Sequence, residues 1–189
     1  EDTQREYNQV LSKTRHQARE MIKAKGFSKS KFEILAMLMK LRQVASLGKL
    51  GAFMEQLQSA IVGGHKILVF SQFVKMLQII ASQLQEENIP FCYLDGSTKD
   101  RLGECNRFNK DPKIPVFLIS LMAGGTGLNL TGADMVIHLD PWWNSSAENQ
   151  ATDRAYRIGQ SKKVNVIKLV CKDTIEEKVL LLQNLKKEL

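Results

Sequence analysis

Over the first part of the chain, apolar residues recur every three or four positions. Tyr7, Val10, Leu11, Ala18, Met21 and Ile22 fall near one face of a helix predicted from Glu1 to about Lys25. Gly26-Phe27-Ser28 breaks that pattern. Ser30 or a neighbour is placed to cap a second helix carrying Phe32, Ile34, Leu35, Leu38, Met39 and Leu41. A third helical pattern runs from Gly48 to about Val62 and stops at Gly63-Gly64.

The texture then changes. KILVF (Lys66 to Phe70) is a short apolar run without alternation, the mark of a strand buried on both faces. A helix is predicted from Phe73 to about Glu87, a strand at FCYL (Phe91 to Leu94), and a helix from Lys99 to Asn109. VFLIS (Val116 to Ser120) and MVIHLD (Met135 to Asp140) follow as strands, then a helix through Gln150 to Tyr156 and a fifth strand at Val164 to Val170. An amphipathic helix begins at about Thr174. Strands alternating with helices at this rhythm predict an α/β fold, a parallel sheet with helices on both faces. The predicted organisation is a helical segment over 1–63, an α/β domain over 64–172 and a terminal helix over 173–189.

Composition narrows the class. Of the 189 residues, 43% are hydrophobic, a normal globular content. Cys92, Cys105 and Cys171 are odd in number and form no C-x-x-C pair, and His16, His65 and His138 are equally dispersed. No zinc site or secreted disulfide framework is expected, and the expected location is intracellular. No apolar run approaches the ~20 residues of a membrane span. The polar, helix-like start EDTQREYNQV reads as cut from a longer protein. The net charge of +7 is uneven: residues 1–50 carry eleven Lys/Arg against five Asp/Glu, while the rest of the chain is almost balanced. That surplus fits either nucleic-acid phosphates or a solvated helix surface.

In open α/β sheets, ligands bind beyond the carboxyl ends of the strands. There the sequence puts Ser71-Gln72, the turn Asp95-Gly96-Ser97-Thr98, SLMAGGTGLN from Ser120, and DPWWN with Trp142 and Trp143. QATDRAYRIGQ (Gln150 to Gln160) precedes the last strand. The glycine loop is no Walker loop, because no Lys-Ser/Thr pair follows it. It also misses the dinucleotide fingerprint, since Leu130 stands where the last glycine belongs. Arg154 and Arg157 share a helix face at this spacing, as if gripping one anion; surface ion pairs with Asp153 or Glu148 are the plainer alternative. His138 reads as a core residue and Asp140 as a strand-end cap, and no hydrolase triad stands out.

Taken in order, KILVFSQF, YLDGST, LISLMAGGTGLNLTGADMVIHLDPWWN and QATDRAYRIGQ resemble the second motor lobe of the SWI/SNF-type DNA translocases, in helicase superfamily 2. TQREYNQVL and LAMLMKLRQVASLGKL resemble the helical segment joining that family's two lobes. The sequence departs from the family near Leu121-Met122, where a lysine is usual, at Ser145, where a proline is usual, and before Leu47-Gly48, where His-Pro is common.

The resemblance implies a RecA-like fold and ATP-driven movement along double-stranded DNA. ATP and magnesium would be bound mainly by a first lobe carrying the Walker lysine and an acidic motif, neither of which occurs in this chain. Arg154 and Arg157 match the arginine fingers supplied to the γ-phosphate. Gln150, Gly125, Gly127 and Asn129 match positions on the nucleotide side. Ser71, Gln72, Ser97, Thr98 and Ser120 match the side that follows the DNA backbone, and Trp142 and Trp143 an interlobe or DNA contact. The expected partners are duplex DNA, the first lobe of the same polypeptide and a DNA-bound protein substrate. The chain alone is expected to be inactive as an ATPase. The competing expectation is a non-catalytic α/β module whose rim binds a protein or nucleic acid.

Overall fold

The computed structural model describes residues 2–123, 127–156 and 160–187. The chain opens with helix α1 (Asp2–Lys25), a 3-10 turn (Ser28–Ser30), α2 (Lys31–Leu47) and α3 (Leu50–Val62). There follow β1 (Ile67–Ser71), α4 (Val74–Glu86), β2 (Phe91–Leu94), α5 (Arg101–Lys110), β3 (Val116–Ser120) and β4 (Met135–His138). The last elements are α6 (Ser145–Asp153), β5 (Asn165–Lys168) and α7 (Ile175–Lys187).

All strand pairings are parallel, and the order across the sheet is β2-β3-β1-β4-β5. β1 is central, with Ser71 opposite Ser120 of β3 and Phe70 opposite His138 of β4. The period-2 alternation of a strand sends its residues to two cores. Leu68, Phe70, Phe117, Ile119 and Val136 pack with Phe108 of α5 and Ala151 of α6. Ile67, Val69, Val116, Leu118 and Ile137 pack with Leu77 and Ile80 of α4 and with Phe53 and Leu57 of α3. Although α3 falls within the helical segment of the sequence reading, it therefore lies on the sheet. A third, smaller core joins Tyr7 of α1, Leu41 and Ala45 of α2, and Ile175 at the start of α7.

Three local expectations change. Ser30 does precede α2 but makes no side-chain cap; its hydroxyl instead donates to the carbonyls of Met21 and Gly26, closing the turn after α1. β5 is an edge strand and mostly exposed, because β4 is its only partner among the described residues. The helix expected at Gln150 to Tyr156 starts earlier, at Ser145, and ends at Asp153. Asn144 sets the start by accepting a hydrogen bond from the Ser146 amide at 3.0 Å. Arg154 is the residue at its C-terminal cap, and its carbonyl accepts from the Leu130 amide at 3.1 Å rather than continuing the helix. Arg154 thus closes the helix, and Arg157, the second residue of the expected pair, lies outside the described residues.

Candidate functional site

At the carboxyl end of β1 the chain turns sharply, and Asp140, just beyond β4, holds the turn. The Asp140 carboxylate accepts from the Ser71 hydroxyl at 2.8 Å and from the Gln72 amide at 3.0 Å. Burial pushes Asp140 up to about 6, since a dry carboxylate prefers to be neutral. Ser71 and Ser120 are buried, so in this conformation their hydroxyls face the protein. Gln72, Ser97 and Thr98 are more open. The Gln72 side-chain amide has a covered nitrogen and oxygen, neither with a hydrogen-bond partner among the described residues. After β2, Asp95 accepts from the Ser97 hydroxyl at 2.6 Å and its amide at 2.8 Å, which hold the carboxyl below its usual value. The Asp95 amide in turn donates to the Thr98 hydroxyl. This closed turn presents Ser97 to solvent.

DPWWN forms the next part of the rim. Trp142 and Trp143 are both half-buried, and the cation between them is Arg42 of α2. Its guanidinium carbon lies 5.9 Å and 5.0 Å from their ring centres and 6.0 Å from that of Phe73. Arg42 is only 1% exposed and also donates to the Pro141 carbonyl. Glu148 of α6 anchors the same loop from the other side, accepting from the Trp142 amide at 2.6 Å, Lys168 at 2.5 Å and Gln183 at 3.0 Å. Burial opposes its charge, but those donors hold its carboxyl below the usual range. Glu148 thus pairs with Lys168. Lys49, ahead of α3, reaches the carbonyls of Leu139 and Leu169 and a bidentate contact with Glu176 of α7 at 2.7 and 2.8 Å. The Tyr7 hydroxyl accepts from the Ile175 amide, so α1 caps α7. His138 is a core residue as expected: it stacks on Phe70 and meets the Thr152 hydroxyl at 2.9 Å, and burial holds it down at about 4.

The glycine loop and the arginine motif are neighbours. Besides the Leu130–Arg154 bond, Gln160 donates to the carbonyls of Thr131 and Ala133 on one segment and Ala155 on the other. Asn109, at the end of α5, donates to the Asn129 carbonyl and accepts from the Gly132 amide. A Cβ at Gly132 would stand 3.0 Å from the Asn109 Cα, which makes this a glycine position. Gly127 has φ +103°, a conformation that disfavours any side chain. Gly127, Asn129 and Gln150 are exposed, whereas Arg154 is 8% exposed and close enough to Cys105 to act on its thiol. Gly125, like Arg157, lies outside the described residues.

The structure thus sorts the sequence-selected residues into two groups. Ser71, Gln72, Ser97, Thr98, Ser120 and the two tryptophans gather at or just past the strand ends. Gly127, Asn129, Gln150 and Arg154 gather around the loop-to-motif junction. Sequence reasoning missed the buried ions that hold them: Arg42, Lys49, Glu148 and Glu176. The one available signal was a charged residue, Arg42, embedded in the apolar run LAMLMKLRQVAS.

Residues 48–159 match the family described as helicase conserved C-terminal domain. An "Uncharacterized ATP-dependent helicase" of Mycoplasma pneumoniae is 42% identical over 174 residues, covering 85% of this chain and 17% of the relative. The "Helicase SWR1" of Yarrowia lipolytica is 44% identical over 135 residues, covering 70% of this chain and 8% of the relative. The chain thus spans less than a fifth of the length of these curated relatives. Among solved structures, the Sulfolobus solfataricus SWI2/SNF2 ATPase core in complex with dsDNA superposes with a TM-score of 0.79 at 34% identity, covering 99% of this chain and 42% of that one. The parallel five-stranded sheet is RecA-like, as in that core. The chain belongs to the helicase conserved C-terminal domain family, as the C-terminal RecA-like lobe of a SWI/SNF-type protein.

Proposed function

We propose that this chain is the DNA-gripping, ATP-closing half of an ATP-dependent translocase on double-stranded DNA. The observation that carries the reading is the separation of the two residue groups on one lobe: hydroxyls, an amide and aromatics at the strand ends, and a glycine loop tied to the arginine motif beside them. The relatives' names, as ATP-dependent helicases, and a neighbour solved with duplex DNA support it.

In this reading the strand-end group follows the phosphate backbone. Ser97 and Thr98 offer hydroxyls, and Gln72 would add its amide, whose atoms lack partners among the described residues, once it is uncovered. Such contacts position the duplex without reading its sequence. Trp142 and Trp143, held by Arg42, supply a stiff surface for DNA or for the other lobe. Ser71 contributes through the turn it stabilises, and Ser71 and Ser120 would add their own hydroxyls once it opens.

ATP would lie between this lobe and a first lobe. Arg154 and Arg157 would meet its γ-phosphate, stabilising charge as the phosphoryl group transfers, and Gln150, Gly127 and Asn129 would line the near side, with Gly125. Among the described residues no group of His, Cys, Asp or Glu is placed to hold a metal ion. Magnesium would be coordinated by the first lobe and the nucleotide. The remodelled substrate would be a protein bound to DNA.

ATP turnover of the full-length protein, with and without duplex DNA, tests this reading beside the same assay on the chain alone. The full-length protein should show DNA-stimulated turnover and the chain none. Absence of turnover in the full-length protein would favour the alternative, a non-catalytic binding module.

A further inference from the structure

The basic surplus of the N-terminal segment has a definite geometry. α1 is one continuous helix of 24 residues, and one sector of its exposed side is basic and polar. At 3.6 residues per turn, Arg5, Asn8, Ser12, Arg15, His16, Arg19 and Lys23 fall within a sector of about 100°. Among the described residues no acidic side chain falls inside it: Glu6 and Glu20 lie past its edge, and Lys23 pairs with Glu20 at 3.2 Å. All seven side chains are exposed, because the opposite sector, with Tyr7 and Val10, is the one packed in the third core. The stripe runs for about 27 Å from Arg5 to Lys23.

We propose that this stripe is a second DNA-backbone site, separate from the strand-end rim. Its chemistry favours duplex phosphates over an acidic protein segment. Arginines interleaved with Asn and Ser hydroxyl or amide donors are the side chains that bind phosphate oxygens. Protein interfaces are instead centred on aromatic or aliphatic anchors, and the sector holds none. About 27 Å matches roughly eight base pairs of duplex rise at 3.4 Å each. The helical segment also docks at the carboxyl end of the sheet, through Lys49 on the Leu139 and Leu169 carbonyls and Arg42 on the Pro141 carbonyl. The start of α1 reaches the same end of the lobe, where the Tyr7 hydroxyl accepts from the Ile175 amide. The inference rests on the reading of the chain as a DNA-gripping lobe and adds to it a contact that no rim residue makes.

The test is the salt dependence of binding between the full chain and a fluorescein-labelled 25-base-pair duplex, followed by anisotropy from 50 to 200 mM KCl. Arg15→Ala with Arg19→Ala removes two phosphate contacts. It should flatten the slope of log K against log salt by about 1.8, so that the loss of affinity over this range is about 12-fold smaller than in the wild type. Lys110→Ala with Lys113→Ala makes the same charge change ahead of β3, at the other end of the sheet, and should leave the slope unaltered. Both double variants alter exposed residues, and unchanged melting temperatures would confirm that each is folded. An Arg15/Arg19 slope equal to that of the wild type overturns the proposal while leaving the rim reading intact. An equal effect from the Lys110/Lys113 pair also overturns it, since general charge would then suffice. Poly-glutamate competing as well as unlabelled duplex would point to an acidic protein partner instead. No duplex binding at any salt concentration would overturn the rim reading and this one together.

Discussion

Lys49→Met keeps most of the apolar stem of the lysine and removes only its ammonium. Lys49 is 8% exposed and Glu176 is fully buried, so their contact at 2.7 and 2.8 Å is shielded from water. The variant leaves the Glu176 carboxylate with the Cys171 amide at 2.8 Å as its remaining donor, and strips the Leu139 and Leu169 carbonyls of a shared partner. Removing one member of a buried pair costs about 3–5 kcal/mol, because the other charge stays buried and uncompensated. That is a large part of the ~5–15 kcal/mol that holds a domain folded. With a urea m-value of about 2 kcal/mol/M, the midpoint should fall by about 1.5–2.5 M. Adding Glu176→Gln to Lys49→Met should recover more than half of the loss, since the orphaned charge is then gone. Urea titrations followed by circular dichroism and by tryptophan fluorescence would measure both variants. A loss below about 1 kcal/mol for Lys49→Met, or no recovery in the double variant, would refute the view that this pair clamps the helical segment and α7 to the sheet.

Two buried groups set opposing pH dependences. Asp140 titrates at about 6 when folded against 3.8 when exposed, so the folded state takes up its proton first and stability from this group is lost as pH rises through 6. His138 titrates at about 4 against 6.5, so the unfolded state takes up its proton first and stability is lost as pH falls from 6.5 towards 4. Each amounts to about 3 kcal/mol, and the two nearly offset in the wild type. Asp140→Asn should therefore lose about 3 kcal/mol between pH 6.5 and 4, measured by urea unfolding at each pH; a profile parallel to that of the wild type would contradict the assignment. Arg42→Lys retains the charge but not the planar fork that meets Pro141 and the three rings. Because the chain has 2 tryptophans, both in this loop, their emission should shift to the red with a stability loss of about 1–2 kcal/mol. An unchanged spectrum would mean that Arg42 does not hold the loop.

Most of the α/β framework was legible because its strands are buried on both faces. β1, ILVFS, is buried at every position, and such an apolar run after Gly63-Gly64 admits few other readings. The fifth strand is expected from Val164 to Val170, but the place of β5 at the edge is decided by sheet order, which its own residues do not encode. The start of α6 was missed because SSAEN carries no apolar period; Asn144 defines it through a single cap bond. Its end depends on Leu130, far upstream, whose amide takes the Arg154 carbonyl. The rim segments could be found from strand ends and motif order. The ions beneath them could not: Lys49 and Glu176 stand 127 positions apart, and nothing local marks either as paired. In the sequence Lys49 and Arg42 count simply as part of a basic N-terminus, whereas in the fold both are buried and the cations left at the surface of α1 make the stripe.

The central claim, that this lobe completes an ATPase by reaching into a neighbouring active site, is tested most directly by Arg157→Ala in the full-length protein. Arg154→Ala is the less clean variant, because it also empties a largely buried position. ATP turnover would be measured at saturating duplex DNA, with the melting temperature of the variant taken alongside. The account predicts a fall of about 10³-fold or more with the fold intact, as for other arginine fingers in phosphoryl transfer. Turnover equal to that of the wild type would contradict it.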